Sequence, residues 1–318
     1  MKYIAICAKG LEDITQLEIK ELLNVESKIL IPGRIEFSTD KINEFKEKTQ
    51  STIKLYELKQ KVKSLDEIKA FKIEGTYRVT CHRLGEHDFT SMSAEQETGE
   101  KFTELGNKVD LKNPETIVFL DVVDENIFVG IDLTPKLLSK RDYRIKVNNQ
   151  SINACIAYAL VRLSVFNEEQ TLLDPFAKDG VIAIEAAKFK KGKIYAFEDL
   201  FHNVKNLEIN SKLANLRKQV NISRIEVEWL DTKLKENEID CLITAPPYPS
   251  KTILEKDIKK LYKELFHQLD YIMKKNSKMI FIAPKIELIK EFNKDFKIID
   301  ERNVSTSNLN YKVLILQN

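Results

Sequence analysis

Residues 172–187 read Leu-Leu-Asp-Pro-Phe-Ala-Lys-Asp-Gly-Val-Ile-Ala-Ile-Glu-Ala-Ala, and this stretch is the most informative about the fold of the second half of the chain. The apolar run at 171–173 predicts a short buried strand, which ends at Asp174-Pro175-Phe176. Gly180 supplies a turn in which backbone can approach a ligand closely, and residues 181–189 predict a helix. A strand, a glycine-containing turn and a helix in this order are typical of a ligand-binding βα unit.

Strands and helices continue to alternate after this unit. Regular βα alternation predicts a mainly parallel sheet with helices on both faces. The last two predicted strands have no helix between them and indicate an antiparallel hairpin, with a polar turn at 305–310. We therefore expect an α/β domain with a seven-stranded sheet. Its predicted strands are 171–173, 193–197, 225–229, 239–244, 278–283, 296–299 and 311–316.

The carboxyl ends of these strands carry the residue types that a nucleotide-like cofactor needs. In such a sheet, ligands bind outside the carboxyl ends of the strands. If the ligand is S-adenosylmethionine, a carboxylate after the second strand can accept both ribose hydroxyls. An acid after the third strand can accept a hydrogen bond from the adenine amine. The predicted cofactor-binding residues are Asp174, Phe176, Gly180, Glu198, Asp199 and Asp231.

The fourth strand end continues into a stiff aromatic loop, Ile-Thr-Ala-Pro-Pro-Tyr-Pro at 243–249. Prolines fix φ and remove backbone donors, so the loop keeps its shape when a flat ring docks. This geometry suits a nucleobase held for chemistry on its exocyclic amine. Pro246, Pro247 and Tyr248 are therefore the predicted catalytic residues. The loop resembles the (Asn/Asp/Ser)-Pro-Pro-(Tyr/Phe) loop of amino-group methyltransferases, with Ala245 in place of the polar residue.

A basic stretch, Lys136–Asn149, separates this half from a first half of short strands and amphipathic helices. Two interpretations stay open: a solvated linker, or a strip that contacts phosphates with Tyr143 stacked on a base. His82 and Arg83 in the first half have the same two readings, solvated surface or RNA contact. The candidate RNA-binding residues are His82, Arg83, Lys140, Arg141, Tyr143 and Arg144.

The stretch 172–187 resembles the nucleotide loop of the THUMP-containing RNA methyltransferases, Leu-Leu-Asp-Pro-Phe-Cys-Gly-Ser-Gly-Thr-Ile-Pro-Ile-Glu-Ala-Ala. Three other stretches are similar to that family: Gly10-Leu11-Glu12, Tyr77–Ser91 and Arg141–Arg144. The resemblance covers nearly the whole chain. It implies an N-terminal ferredoxin-like region (1–60), a THUMP RNA-binding module (61–135), a basic linker (136–150) and a Rossmann-like class I methyltransferase domain (151–318).

The same resemblance implies methyl transfer from S-adenosylmethionine to a guanine exocyclic amine in structured RNA, most often tRNA and otherwise rRNA. Two departures fall at the site. Lys178-Asp179-Gly180 replaces Gly-Ser-Gly, and a left-handed lysine is unfavourable by roughly 1–2 kcal/mol. Ala245 removes one hydrogen-bond acceptor, a loss of roughly 100- to 1000-fold at a transition state. The alternative is a catalytically impaired protein that binds tRNA as a chaperone or as the partner of another protein.

Bulk composition leaves both readings open. The 318 residues are 43% hydrophobic and 31% charged with a net charge of +2, which neither requires nor excludes a nucleic-acid partner. The four cysteines are far apart, so we expect neither a disulfide framework nor a metal site. No apolar run reaches the length of about 18 residues that a membrane helix needs, and we expect a cytoplasmic protein.

Overall fold

The computed structural model describes residues 1–306 and 309–318. The chain divides into two compact units, Met1–Cys7 with Thr15–Leu138, and Ala8–Ile14 with Ser139–Asn318. The second unit thus resumes inside the predicted linker, 136–150. Among the described residues, the helices do not combine the length and apolar composition that a membrane span requires.

The first unit is built on one eight-stranded sheet. Its strands are β1 (Lys2–Ile6), β2 (Ser27–Ile31), β3 (Arg34–Ser38), β4 (Lys54–Val62), β5 (Thr76–Leu84), β6 (Lys108–Val109), β7 (Thr116–Val123) and β8 (Asn126–Asp132). Its helices are α1 (Glu12–Leu23), whose first three residues fall in the segment assigned to the second unit, α2 (Ile42–Lys48) and α3 (Ser91–Glu104).

The strand order of this sheet is β2-β3-β1-β4-β8-β7-β5-β6. The elements β1-α1-β2-β3-α2-β4 form the predicted ferredoxin-like region. Its four strands are antiparallel to their neighbours, and β1 and β3 lie in the middle, between β4 and β2. Strand β4 also pairs with β8, so the predicted boundary between residues 60 and 61 lies inside a strand shared by both predicted regions. The division into a ferredoxin-like region at 1–60 and a THUMP module at 61–135 stays a prediction, since both regions contribute strands to the same sheet.

A buried ion pair links β3 to β7 in this sheet. The Arg34 guanidinium donates from Nε and Nη2 to the Asp121 carboxylate at 2.6 and 2.7 Å. The Tyr56 hydroxyl donates to the same carboxylate at 3.1 Å, and His82 Nδ1 lies 3.2 Å from it. Burial opposes ionisation, but the charge and hydrogen bonds of Arg34 and His82 lower the pKa of Asp121 to about 2.

Replacing Asp121 with Asn is expected to destabilise the protein by roughly 3–5 kcal/mol at pH 7, because Arg34 would stay buried without a counter-charge. The lowered pKa means that this contribution is complete above the ordinary value of about 4 and is lost as pH falls through about 2. Urea denaturation of the wild type and Asp121→Asn should therefore give free energies of unfolding that converge over this range. The double variant Arg34→Met/Asp121→Leu serves as the control and should recover much of the loss. A difference independent of pH would contradict the assignment.

The second unit is built on a seven-stranded sheet. Its strands are β9 (Thr171–Asp174), β10 (Lys193–Glu198), β11 (Val220–Arg224), β12 (Ile239–Thr244), β13 (Met273–Ala283), β14 (Lys297–Thr306) and β15 (Leu309–Gln317). Its helices are α4 (Ala154–Ser164), α5 (Val181–Phe189), α6 (Phe201–Leu213), α7 (Glu255–Ile272) and α8 (Glu287–Phe292), with a 3-10 helix at Val227–Thr232.

The strand order β11-β10-β9-β12-β13-β15-β14 confirms the predicted mainly parallel sheet. Strands β9 to β13 pair in parallel, and β15 is antiparallel to β13 and β14. The closing hairpin is confirmed, while its predicted turn at 305–310 includes residues 307 and 308, which lie outside the described residues. The strand predicted at 225–229 is wrong. Ile225 and Val227 are buried, but they follow β11, whose own residues are only partly covered.

Helices cover both faces of this sheet, as the alternation along its strands requires. Leu172 packs in the apolar cluster that contains residues of α4 and α5, whereas Leu173 packs in the cluster that contains residues of α7. Adjacent residues of a strand point to opposite faces, so both layers are held by the same strands. Because β9 to β12 run in parallel, the polar groups that follow them lie at the same edge of the sheet.

Candidate active site

A cavity of about 590 Å³ lies beyond the carboxyl ends of β9, β10, β11 and β12. Residues that follow each of the four strands line it, together with residues of α7 and of the segment before α4. Its walls combine acids and amides with apolar side chains. The lining residues used below are Gln150, Phe176, Lys178, Glu198, Asp199, Asn203, Ile225, Glu226, Val227, Glu228 and Pro247.

Asp174 lies at the end of β9 with one carboxylate oxygen in use. Oδ1 accepts hydrogen bonds from Thr244 Oγ1 at 2.7 Å and from the Phe176 amide at 3.3 Å. Oδ2 is buried and has no hydrogen-bond partner among the described residues. Burial raises the pKa of Asp174 to about 7, although both hydrogen bonds oppose the shift. A buried acceptor without a partner is costly, so this oxygen is suited to a cationic or donor group of a ligand.

Glu198 lies at the end of β10 and ties the neighbouring turn to the sheet. Its Oε2 accepts from the Lys178 amide at 2.8 Å, and its Oε1 accepts from Asn203 Nδ2 at 3.1 Å. Burial, and then the neighbouring Asp199 carboxyl, raise the pKa of Glu198. A carboxylate has about four lone-pair sites, so capacity remains for a ligand hydroxyl. Asp199 itself is exposed at the cavity rim.

The turn between β9 and α5 has two left-handed residues. Gly180 has a φ of 85°, and a Cβ built there would stand 2.0 Å from Cδ1 of Leu207. The left-handed φ favours glycine here, and any larger residue would also have to displace the Leu207 side chain of α6. Lys178 has a φ of 52° and is almost fully buried, which is an unfavourable conformation for a side-chain-bearing residue. The predicted strain at Lys178 is therefore present in the structure.

Three residues of the basic stretch before α4 point inward, while Lys136, Lys140 and Lys146 of the same stretch are exposed. Arg144 donates to the Asp179 carboxylate at 3.0 and 2.9 Å, and Arg141 donates to Glu185 at 3.0 and 3.1 Å. The Tyr143 hydroxyl donates to Glu185 at 2.7 Å and the residue is 6% exposed. These contacts correct the predicted RNA-binding role of all three, since their polar groups are committed to buried carboxylates and the Tyr143 ring cannot reach a base.

The remaining RNA candidates have separate surroundings. Lys140 is exposed. In the first unit, His82 contacts the buried Asp121, and Arg83 Nη1 lies 3.3 Å from His87 Nδ1. Their contact with RNA stays a prediction.

The proline loop after β12 is held at two carbonyl groups. Lys178 Nζ donates to the Ala245 carbonyl at 2.8 Å, and the Tyr262 hydroxyl donates to the Pro247 carbonyl at 2.6 Å. Between them, the Pro246 carbonyl receives no hydrogen bond from the described residues. Tyr248 is half-buried and does not line the cavity. It lies beside Tyr311 of β15.

Asp231 is placed differently from its prediction. It is exposed in the 3-10 helix seven residues after β11, and it does not line the cavity. Glu226 and Glu228 occupy the cavity wall instead. The misplaced strand at 225–229 caused this error, because it moved the predicted strand end five residues along the chain. Asn203, which the sequence reasoning also missed, lies four residues after Asp199 and was identifiable only by its place in the first turn of α6.

The strand order and the cavity at the carboxyl edge define the second unit as a Rossmann-like class I methyltransferase fold. Residues 141–314 match the family model described as RMKL-like, methyltransferase domain, and residues 54–132 match the THUMP domain. The first match spans more than half of the chain, so the chain belongs to the RMKL-like methyltransferase domain family, with a THUMP domain preceding it.

The chain is also similar to known proteins over nearly its full length. It is 29% identical to a tRNA (guanine(6)-N2)-methyltransferase of Methanocaldococcus jannaschii, covering 99% of this chain and 100% of that one. A protein of the same name from Archaeoglobus fulgidus is 28% identical, with 89% and 83% covered. The crystal structure of TrmN from Thermus thermophilus superposes with a TM-score of 0.84 at 23% identity, covering 100% of this chain and 99% of that chain. SMU.472, a methyltransferase-like protein in complex with SAH, has a TM-score of 0.79 at 16% identity, covering 99% and 97%.

The inward pairing of Arg144 can be tested against a matched lysine of the same stretch. Arg144→Met should lower the free energy of unfolding by roughly 3–5 kcal/mol, because Asp179 would be left as an unpaired buried charge. Lys140→Met, at an exposed position, should change it by less than about 0.5 kcal/mol. Urea denaturation at pH 7 measures both. Equal stability of the two variants would restore a surface role for Arg144.

Proposed function

We propose that this protein transfers a methyl group from S-adenosylmethionine to the exocyclic N2 amine of a guanine in tRNA. The observation that carries the proposal is the cavity between the acids at and after the ends of β10 and β11 and the proline loop that follows β12. Its support is the full-length similarity to the tRNA (guanine(6)-N2)-methyltransferase of Methanocaldococcus jannaschii. An rRNA substrate is the second possibility for the same chemistry.

Residues in and beside the cavity fit the parts of S-adenosylmethionine one by one. Asp174 lies at the end of β9 next to the lining residues Pro175 and Phe176, and its unpartnered Oδ2 suits the ammonium of the methionine portion. Glu198 and Asp199, which line the cavity, suit the ribose hydroxyls. Apolar Ile225 and Val227 suit the adenine ring, and an acid next to them suits its amine. When bound, the cofactor would supply an electrophilic methyl group. The chain would hold that group at the edge of the sheet, beside the proline loop.

The proline loop supplies the acceptor side of the site. We assign the free carbonyl of Pro246 to one hydrogen of the guanine amine, which increases electron density on the attacking nitrogen. Pro247 forms the cavity wall at this point, and Tyr248 offers an aromatic surface for the base. Ala245 has no polar side chain to accept the second hydrogen. Positioning by the loop backbone therefore carries more of the rate than in proteins with a polar first residue.

The THUMP domain is the proposed tRNA anchor, with His82 and Arg83 on its strand β5. Lys140, which follows the THUMP domain along the chain, is exposed, and we assign it to contact with a phosphate of the tRNA. The target guanine must leave its stack to reach the loop, because the amine is otherwise paired or covered.

Cofactor affinity tests whether Glu226 or Asp231 is the acid near adenine. Glu226→Gln should weaken S-adenosylhomocysteine binding about 10-fold, the worth of roughly one hydrogen bond to a charged group. Asp231→Asn should leave the affinity within about twofold, since its side chain is exposed outside the cavity. Isothermal titration calorimetry measures both. The reverse order of effects would reject the placement of adenine beside β11.

Methyl transfer itself tests the proposed function. Purified protein with labelled S-adenosylmethionine should methylate unmodified tRNA, and nucleoside mass spectrometry should detect N2-methylguanosine. Tyr248→Ala should lower kcat/KM by roughly 10- to 100-fold, the worth of one base-stacking contact. Tyr271→Ala, an exposed tyrosine at the far end of α7, is the control and should have no effect. tRNA binding without cofactor binding or methyl transfer would favour the alternative, a methyltransferase-like tRNA-binding partner or chaperone.

A further inference from the structure

We propose that Lys178 is a positioning residue for the methyl-acceptor loop, and that it replaces the polar side chain missing at Ala245. The inference rests on the proposed function for its kinetic consequence. Its structural part, that the lysine amine holds the loop, stands on the geometry alone.

The Lys178 side chain joins three separate segments. Its Nζ donates to the Ala245 carbonyl at 2.8 Å and to the Gln150 carbonyl at 3.1 Å, and the residue is 6% exposed. Its backbone amide donates to the Glu198 carboxylate at 2.8 Å. The lysine is thus fixed at both ends, and the first residue of the loop is fixed to it.

The backbone conformation and the burial of Lys178 are both unfavourable, which indicates that its side chain makes a compensating contact. Lys178 has a positive φ of 52°, a conformation that glycine adopts without strain. Burial lowers the pKa of its amine, against the opposing effect of Asp174, Glu198 and Asp179. Packing alone would be better served by a small or apolar residue at this position. The feature that only the lysine provides is a donor that reaches the loop.

The result is a loop held from two sides around one free acceptor. Lys178 holds the Ala245 carbonyl, and Tyr262 of α7 holds the Pro247 carbonyl at 2.6 Å. The Pro246 carbonyl lies between these fixed points and receives no hydrogen bond from the described residues. An acceptor placed before the base arrives needs no reorganisation during reaction. A polar side chain at the first position of the loop could contribute to the same task, but Ala245 has none.

Lys178→Met keeps the length of the side chain and removes the donor. We expect kcat for tRNA methylation to fall roughly 10- to 100-fold, as for loss of a positioning contact. S-adenosylhomocysteine affinity should change by less than about threefold, because the cavity volume is nearly conserved. Amide hydrogen exchange of the 245–253 segment should become faster, a readout that does not depend on activity. Lys275→Met, at an exposed position near the start of β13 and away from the carboxyl edge, is the control.

A double variant tests the replacement directly. Lys178→Gly removes the donor and the backbone strain, and Ala245→Asn supplies a polar first loop residue. Each single variant should be impaired, while Lys178→Gly/Ala245→Asn should recover to within about 10-fold of the wild type. Additive losses in the double variant would reject the coupling. Should Lys178→Met fail to fold, Lys178→Gly carries the same exchange measurement.

The outcomes separate this inference from the proposed function. Absence of methyl transfer by the wild type would overturn the proposed function, while faster loop exchange in Lys178→Met would still support the holding of the loop. An active wild type, with unchanged kcat and unchanged exchange in Lys178→Met, would overturn the role of Lys178 and leave the proposed function standing.

Discussion

The hydrogen bond from the Lys178 amide to the Glu198 carboxylate, 2.8 Å long, is the contact on which the site depends. It joins the turn after β9 to the end of β10, and the side chain of the same lysine reaches the loop after β12. One residue therefore connects three of the four strand ends around the cavity. The fourth strand end is that of β11, and the segment after it adds Glu226 and Glu228 to the cavity wall.

Charge compensation explains how an altered turn can be kept inside the protein. Asp179 brings a carboxylate into a fully buried position, and Arg144 neutralises it there through two hydrogen bonds. Arg141 does the same for Glu185, with the Tyr143 hydroxyl as an additional donor. A buried charge is tolerated when it is paired and hydrogen-bonded. Arg141 and Arg144 thus stabilise the methyltransferase unit, while Lys140 of the same stretch stays on its surface.

Much of the fold followed from local patterns, and the failures have physical causes. The parallel sheet and its closing hairpin were predictable because apolar runs repeated at strand and helix spacing. The strand β11 was missed because it is short and only partly covered, while the apolar Ile225 just after it is buried. That single shift moved the predicted adenine contact to Asp231. Tyr143 was misread because a tyrosine among basic residues has the same sequence signature whether it stacks on a base or packs inside.

Apart from the position of β11, the order of strands and helices in the second unit was predictable from the amino-acid sequence, as were the strand-turn-helix unit around Gly180 and the resemblance to a methyltransferase family. These properties depend on residues that are neighbours along the chain, so short motifs and periodicity suffice to identify them. The sequence did not show which charges face the cavity and which are paired within the protein, because that depends on how the chain packs. Arg144 meets Asp179 across 35 residues and Lys178 meets Ala245 across 67. Such distant partners are chosen by the packing of the whole sheet, because no local rule sets the direction of a side chain over that separation.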